Sequence, residues 1–235
     1  MMDPRAAARA VGAIPSLDSN DTRELPSMAK IGKAPEKDAF GITVYGSRHP
    51  LVTELLEEAP PEIHGDQFWT STWLLLDYLE RMRLRSRMRV LEVGCGWGLA
   101  SVYCAKVRKA VVTSLDADPN VLGIARFQAE ANGVKTKTLE GRFESIPAPV
   151  LRKTDVIIGA DICFWDELVD PLLDMTRRAL RAGVQRVVLA DPGRPCFEDL
   201  AARADEEFRS ILIDTDTKKP AKASGYVLVV EDLKK

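Results

Sequence analysis

Five short apolar runs that alternate with helix-like segments constrain the fold of this chain more than any other feature. The runs are RVLEVG (89–94), AVVTSLD (110–116), TKTLEG (136–141), DVIIGAD (155–161) and RVVLAD (186–191). Segments with helical periodicity lie at about 98–108, 119–132, 166–182 and 195–208. Strands this apolar, with helices between them, indicate a parallel sheet covered on both faces. The sequence therefore predicts an α/β fold.

The last part of the chain has a different pattern. RSILIDTD (209–216) and GYVLVVED (225–232) are two strand-like runs joined by a polar loop with no room for a helix. Parallel strands need a long crossover connection, so these two runs must pair antiparallel. The predicted sheet thus has five parallel strands and a C-terminal hairpin.

Capping residues predict where two of the helices begin and end. STWLLLDYLERM, before the first strand, indicates a helix with Thr70 or Ser71 at its N-cap. In the helix before the fifth strand, we expect Asp170 as N-cap and Pro171 as the first helical residue. Gly183 is expected to end that helix.

The 235 residues are enough for one domain with additional segments at its N-terminus. Residues 1–40 are rich in Pro, Ser, Asp and Lys with little periodicity, which is typical of a flexible leader. Residues 41–66 contain a short strand-like run and one or two helical turns, and we expect them to pack on the core as an extension. The main domain is expected to cover residues 67–235.

Composition excludes several classes of protein. A net charge of −2 gives no overall attraction to nucleic acid or to an anionic membrane, and no apolar run reaches the roughly 20 residues that span a bilayer. Four cysteines without CxxC spacing and two histidines without obvious partners argue against a metal site. We therefore expect reduced thiols in a cytoplasmic protein without a metal. A monomer is favoured.

An arginine-rich run, RMRLRSRMR (81–89), is the exception to this charge balance. Such a run could attract an acidic protein or an RNA. No aromatic residues for base stacking are interleaved with the arginines, and cations are favoured near a helix C-terminus. A solvated helix end is the preferred interpretation, and nucleic-acid binding is not expected.

The turn after the first apolar run contains Gly94, Gly96 and Gly98. Glycines allow close approach of the backbone to a ligand and unusual φ angles. The dinucleotide fingerprint G-x-G-x-x-G would need a small residue where this chain has Leu99, and the Gly-Lys-Ser/Thr ending of a P-loop is absent. The spacing therefore argues against a dinucleotide.

Two carboxylates suggest a different ligand. Glu92, two positions before the first glycine, is expected to point into the crevice at the carboxyl ends of the strands. It would repel a pyrophosphate there but would suit an ammonium or sulfonium group. Asp116, which ends the second strand, can accept hydrogen bonds from both ribose hydroxyls. A nucleoside with a cationic tail is S-adenosylmethionine, although the glycines alone could form only a tight turn and Asp116 alone could cap a helix.

With these residues the chain resembles the class I, seven-β-strand S-adenosylmethionine-dependent methyltransferases, over about residues 67–235. LEVGCGWG is similar to their first motif. The resemblance implies a Rossmann-like, mostly parallel sheet of order 3-2-1-4-5-7-6 with helices on both faces. It also implies S-adenosyl-L-methionine as methyl donor and S-adenosyl-L-homocysteine as product. By resemblance, Phe143 and Glu144 contact the adenine, with packing under the sheet and capping of the next helix as their alternatives.

The segment after the fourth strand bears on the methyl acceptor. It lacks the [ND]-P-P-[YF] sequence of nucleic-acid amino-methyltransferases. Asp161-x-x-Phe164 is instead similar to the motif, often Asp-x-x-Tyr, of the family 16 protein-lysine methyltransferases. DQFWTSTW resembles their tryptophan segment and implies that Trp69 lies in the cofactor pocket. LADPGRPCFEDL resembles the sequence at the fifth strand, DPGR, in the electron-transfer-flavoprotein β-subunit lysine methyltransferase branch of that family.

The implied chemistry is an in-line displacement at a methyl carbon, for which the enzyme mainly aligns donor and acceptor. A lysine amine must be neutral to attack, so a desolvated aromatic site and a carboxylate would both help. Asp161 is the expected carboxylate, which also borders the cofactor, and Phe164 and Trp165 are the expected walls. The alternatives are that Asp161 only caps the next helix and that Trp165 only packs against it.

These residues predict a methyltransferase that N-methylates a lysine side chain of a protein substrate. Phe164 lacks the hydroxyl of the more common tyrosine, which affects the choice of acceptor more than the type of reaction. A small-molecule N- or O-methyltransferase is therefore the first alternative. The second is a catalytically silent module that binds the cofactor and serves as an interaction protein.

Overall fold

The computed structural model describes residues 36–82 and 84–233. The strands are β1 (Glu36–Ala39), β2 (Ile42–Tyr45), β3 (Arg89–Val93), β4 (Val111–Asp116), β5 (Lys137–Glu140), β6 (Val156–Ala160), β7 (Arg186–Asp191), β8 (Phe208–Thr217) and β9 (Ala223–Leu233). The helices are α1 (Pro50–Glu58), α2 (Ser71–Arg81), α3 (Leu99–Lys106), α4 (Val121–Ala131), α5 (Ala148–Leu151), α6 (Val169–Arg181) and α7 (Pro195–Glu207). In the described ranges no helix has the length and hydropathy to cross a bilayer.

β3 to β9 form one sheet in the order β5-β4-β3-β6-β7-β9-β8. The first five of these strands pair in parallel, and β9 lies antiparallel between β7 and β8. Numbered from β3, this is the order 3-2-1-4-5-7-6, so the predicted fold and its C-terminal hairpin are confirmed. The strand order reverses at β3, which leaves a crevice at the carboxyl ends of β3, β4 and β6.

Helices cover both faces of the sheet, as predicted. Alternate strand residues point to opposite faces, so Val90 packs in one core cluster with α2 and α3, whereas Leu91 packs in the other with α6 and α7. Both residues are 1–2% exposed. Strands buried on both sides need apolar residues at successive positions, which explains why the runs in the sequence are continuous rather than alternating.

The predicted N-cap position of α2 and the glycine after α6 are confirmed, whereas the predicted start of α6 is wrong. Thr70 occupies the N-cap position of α2, but its backbone is helical and its side chain makes no capping hydrogen bond. A short 3-10 turn leads into α6, so Leu168 rather than Asp170 is the N-cap, and Pro171 lies within the first turn. Proline is tolerated there because the first N–H groups of a helix have no intrahelical partner. Gly183, with φ +98°, follows the end of α6 as expected.

The N-terminal part begins with a two-stranded antiparallel hairpin, β1–β2. Its first strand lies within the last residues of the predicted flexible leader, and residues 1–35 of that leader lie outside the described residues. The hairpin is followed by α1, which contacts α4. β2 and α1 thus lie where the sequence predicts a strand and helical turns.

Two side-chain amides, one from α4 and one from the residue at its C-cap, bind the backbone of β2. Gln128 accepts from the backbone N–H of Tyr45 at 3.2 Å and donates to its carbonyl oxygen at 2.6 Å. Asn132 accepts from the N–H of Thr43 and donates to its carbonyl oxygen, both at 2.8 Å. Residues two apart on a strand present their amides to the same side, and residues four apart on a helix share a face. The two side chains therefore make the hydrogen bonds that a neighbouring strand would make, and they attach the hairpin to the domain.

We expect Gln128→Leu to lower the free energy of unfolding by about 2–4 kcal/mol, because it leaves two buried backbone groups of Tyr45 without these partners. Chemical denaturation measures the effect. Glu130→Gln, at an exposed position of the same helix, is the matched control and should change stability by less than about 0.5 kcal/mol. Equal effects of the two substitutions would contradict this account of the attachment.

Candidate active site

A cleft opens at the carboxyl ends of β3, β4 and β6. The predicted site residues that line it are Trp69, Glu92, Gly94, Gly96, Gly98, Asp116, Phe143, Glu144, Asp161 and Phe164. Trp165 is not part of the lining. The cleft also includes a loop before α2 that contains Ile63, His64 and Gly65, none of which is among the predicted site residues.

The glycine turn has the backbone geometry that its sequence predicts. Gly94, Gly96 and Gly98 have φ angles of +60°, +49° and +71°, a region that side chains other than glycine rarely occupy. A Cβ atom on Gly94 would lie 2.4 Å from Cγ2 of Ile162. The turn thus brings the backbone against the segment after β6 and leads directly into the N-terminus of α3.

Glu92 lies under the first turn of α3, at the base of the cleft. Its side chain is 4% exposed and accepts a hydrogen bond from the backbone N–H of Ser101 at 2.8 Å. Burial raises the pKa of this carboxyl group to about 7, although the hydrogen bonding with Ser101 opposes the shift. A cationic ligand in the cleft would favour the ionised form, so the site is suited to an ammonium or sulfonium group.

Asp116 connects the glycine turn to the end of β4. Its carboxylate accepts from the N–H of Gly96 at 2.8 Å and from the N–H of Asp118 at 3.0 Å. Burial raises the pKa of Asp116, and these backbone hydrogen bonds oppose the shift. A carboxylate has about four acceptor positions, so Asp116 can hold the turn and still accept hydrogen bonds from a ligand hydroxyl.

Phe143 and Glu144 lie in a 3-10 turn after β5. The guanidinium of Arg178 on α6 donates to their carbonyl oxygens at 3.1 and 2.8 Å and fixes this turn. Arg142 pairs with one carboxylate oxygen of Glu144 at 2.8 Å. The other, Oε2, is buried without a hydrogen-bond partner among the described residues. Pro147 is the N-cap of the next helix, so Glu144 does not serve as its cap.

Asp161 is held by an arginine that is not among the predicted site residues. Arg194 donates to Oδ1 of Asp161 at 2.7 Å and to Oδ2 of the fully buried Asp191 at 2.6 Å. Asp161 has φ +58°, which is rare outside glycine, and its Oδ2 is buried without a partner among the described residues. Trp165 takes the N-cap position of the following 3-10 turn, and no side chain caps it. The carboxylate is thus oriented by an ion pair rather than by a helix.

Aromatic rings surround the mouth of the cleft. The His64 ring lies 5.4 Å from the Phe164 ring and 6.4 Å from the rings of Trp69 and Trp165, between centroids. Trp165 is 58% exposed and contacts Phe164, so it stands beside the cleft and is not buried against the next helix. His64, which has no obvious partner in the sequence, is therefore the centre of an aromatic cluster.

The cysteines and acidic residues do not suggest other chemistry. All four cysteines are free and buried, and burial raises the pKa of Cys95 in the glycine turn. A thiol of this kind is a poor nucleophile. Within residues 36–82 and 84–233, no group of three His, Cys, Asp or Glu side chains is arranged to hold a metal ion.

The raised pKa of Glu92 makes stability depend on pH. Because the folded state holds this proton more tightly than the unfolded chain, the contribution of Glu92 is greatest below its ordinary pKa and is lost as pH rises through about 7. We expect Glu92→Gln to gain stability relative to the wild type by up to about 3 kcal/mol between pH 4.5 and pH 8. Denaturation without ligand measures this, with Glu130→Gln as control. A difference that is constant with pH would contradict it.

Comparisons with known proteins agree with this geometry. A family model described as "Methyltransferase domain" matches residues 90–183. The electron transfer flavoprotein beta subunit lysine methyltransferase of Xenopus laevis is 30% identical over 144 residues, 58% of this chain and 58% of that protein. A ribosomal protein L11 methyltransferase of Leptospira interrogans is 26% identical over 184 residues, 77% of this chain and 54% of that protein. The chain thus spans little more than half the length of these curated relatives.

Among solved structures, the precorrin-6y C5,15-methyltransferase of Geobacter metallireducens has a TM-score of 0.57. The alignment covers 75% of this chain and 95% of that one at 14% identity, so the likeness concerns the fold. Fold, glycine turn and domain match lead to the same conclusion. The chain has the fold of the class I methyltransferases, contains a stretch that matches a methyltransferase domain, and resembles the electron transfer flavoprotein β-subunit lysine methyltransferases.

Proposed function

We propose that this protein transfers a methyl group from S-adenosylmethionine to a lysine side chain of a protein substrate. The observation that carries the proposal is Asp161, a buried carboxylate with one oxygen free of hydrogen bonds, beside the aromatic ring of Phe164 at the edge of the cleft. A carboxylate and an aromatic wall together suit an amine that has to be oriented and partly desolvated.

The residues of the cleft fit S-adenosylmethionine. Glu92 offers a buried carboxylate to the cationic amino-acid end, and Asp116 offers acceptors to the ribose hydroxyls. Phe143 offers an apolar face and Glu144 a free buried acceptor, Oε2, for the adenine. When bound, the cofactor supplies an electrophilic methyl group on a sulfonium that is already a good leaving group.

The acceptor end of the cleft is organised by Asp161. Arg194 occupies Oδ1, so Oδ2 is the atom available to accept a hydrogen bond from an amine. Phe164 excludes water on one side of that amine, and Trp165 extends the apolar surface outward. The main contribution of these groups is alignment, because well-oriented reactants recover much of the entropy that a bimolecular reaction would lose.

A protein acceptor is favoured over a small molecule. The names of both curated relatives describe enzymes that methylate proteins, an electron transfer flavoprotein subunit and a ribosomal protein. The mouth of the cleft also exposes Trp69 and Trp165, at 38% and 58%, and exposed aromatic residues are enriched in protein interfaces. The four free, buried cysteines agree with a reducing compartment, and we place the protein in the cytoplasm.

Radiolabelled cofactor tests the proposal. The protein is incubated separately with purified electron transfer flavoprotein β subunit, purified ribosomal protein L11, total RNA, and the small-molecule fraction of a cell extract. We expect label in a protein, as mono-, di- or trimethyllysine after hydrolysis. Label confined to RNA or to small molecules would overturn the assignment of the acceptor.

Asp161→Asn should lower kcat for protein methylation by about 10²-fold or more, because it removes the charge that orients the amine. Calorimetry should show that binding of S-adenosylhomocysteine is largely retained. Asp166→Asn, an exposed carboxylate on the same segment, is the matched control and should behave like the wild type. Unchanged turnover of Asp161→Asn would refute the role of this carboxylate.

A further inference from the structure

The loop that carries His64 is built with more hydrogen bonds than a surface connection requires. The backbone N–H groups of Glu62 and Ile63 donate to Oδ2 of Asp118, at 2.6 and 2.9 Å, and Asp118 is 1% exposed. The indole N–H of Trp69 donates to the carbonyl oxygen of His64 at 3.1 Å. The next carbonyl along the loop, that of Gly65, accepts from the buried Trp97 at 2.9 Å. The loop is therefore fixed from below and from the side.

These contacts hold His64 in an unfavourable backbone conformation. Its φ angle is +47°, in the left-handed region that a residue with a side chain seldom occupies. Such conformations persist only where the surroundings determine them, and they concentrate at functional sites. Asp161, which lines the same cleft, has φ +58°. Two residues with positive φ thus present their side chains to the same cleft.

The position of the imidazole suits contact with the acceptor. It stands edge to face with Phe164, with 5.4 Å between ring centroids and 79° between planes. The residue lines the cleft and is also exposed, so the ring can meet an incoming side chain and exchange protons with water. A lysine side chain that contacts Phe164 on its way to Asp161 therefore comes close to this ring.

Asp161 already has a part in the site, because Arg194 donates to its Oδ1 at 2.7 Å and Oδ2 is the atom that remains to orient the amine. Glu92 and Asp116 lie next to the glycine turn, where the cofactor is expected, and Glu144 lies beyond β5. Among the described residues that line the cleft, His64 is the remaining side chain whose neutral form carries a ring nitrogen with a lone pair that can accept a proton.

We propose that His64 is the proton acceptor for the substrate lysine, an inference that rests on the proposed function. One proton of the lysine ammonium passes to an imidazole nitrogen, and the amine keeps its lone pair. That pair forms the N–C bond to the methyl carbon while the S–C bond breaks and its electrons remain on sulfur. The product is a methylammonium, and the imidazolium returns its proton to water.

Acidic groups are carried by the loop of His64, by the residue that holds that loop and by the segment that bears Phe164: Glu62, Asp66, Asp118, Asp161, Asp166 and Glu167. Two guanidinium groups are also present, since Arg142 lines the same cleft and Arg194 pairs with Asp161. Burial raises the pKa of Glu92 in the same cleft to about 7, so the tested variant has to retain Glu92.

His64→Phe keeps an aromatic ring, removes the titratable nitrogens and leaves Glu92 in place. With electron transfer flavoprotein β subunit as acceptor, we expect kcat at pH 7 to fall about 10²-fold. The deficit should shrink about tenfold per pH unit toward pH 10, because the lysine then loses its proton without help. Binding of S-adenosylhomocysteine, measured by calorimetry, should be unchanged. Glu130→Gln, an exposed position outside the cleft, is the control and should keep the kcat and the pH profile of the wild type.

A kcat within twofold of the wild type, or a lowered kcat with a parallel pH profile, would overturn the role of His64. A second measurement does not depend on the protein substrate. The chain has two histidines, so His64→Phe assigns the ring signals in NMR spectra of the complex with S-adenosylhomocysteine. n-Butylamine, which mimics the lysine side chain, should shift the His64 signals and leave those of His49 unmoved.

Unmoved His64 signals would also overturn the proposal. The n-butylamine titration thus tests proton transfer to His64 separately from lysine methylation. If the wild type labels no protein, the proposed function fails, and the n-butylamine titration alone decides whether His64 meets an amine.

Discussion

The site depends on the reversal of strand order at β3. From β3 the chain continues to β4 on one side and later to β6 on the other, so the connections that leave these strands diverge and expose a crevice at their carboxyl ends. The hydrogen bond from the N–H of Gly96 to Asp116 joins the two walls that β3 and β4 provide. Because the strands are parallel and buried on both faces, their ends are fixed. The side chains at the carboxyl ends of the strands therefore have defined positions.

The sequence allowed the sheet, its order and most of the cleft to be predicted. Apolar runs indicate strands that are buried on both faces, and glycines with a nearby acidic residue indicate a turn. Both patterns can be recognised because each lies within one short segment of the sequence. Positive φ at Gly94, Gly96 and Gly98 is a direct consequence of that local chemistry. Helix capping was less reliable: a 3-10 turn precedes α6, and Leu168 rather than Asp170 takes the N-cap position.

Arg194, Asp118 and His64 were not predicted, and the reason is physical. Arg194 reaches Asp161 from 33 positions away, and Asp118 fixes Ile63 from 55 positions away. Contacts of this kind join the ends of different strands and loops, and no periodicity or spacing in one segment encodes them. The DPGR sequence after β7 was the available signal for Arg194, because β7 is adjacent to β6 and its end lies beside Asp161.

The acidic residues of the cleft differ in how their negative charges are compensated. Asp161 shares Arg194 with Asp191, so its charge is compensated within the protein. Glu92 and Asp116 have raised pKa values because burial disfavours their charge, and a cationic ligand would relieve that cost.

The acceptor end of the cleft has no hydroxyl group at position 164, because Phe164 stands where a tyrosine would present one. The imidazole of His64, edge to face with that ring, places a hydrogen-bonding group at the same edge of the cleft. A fixed carboxylate that orients the amine and a separate group that exchanges protons with water suit a reaction whose nucleophile must be both aligned and neutral.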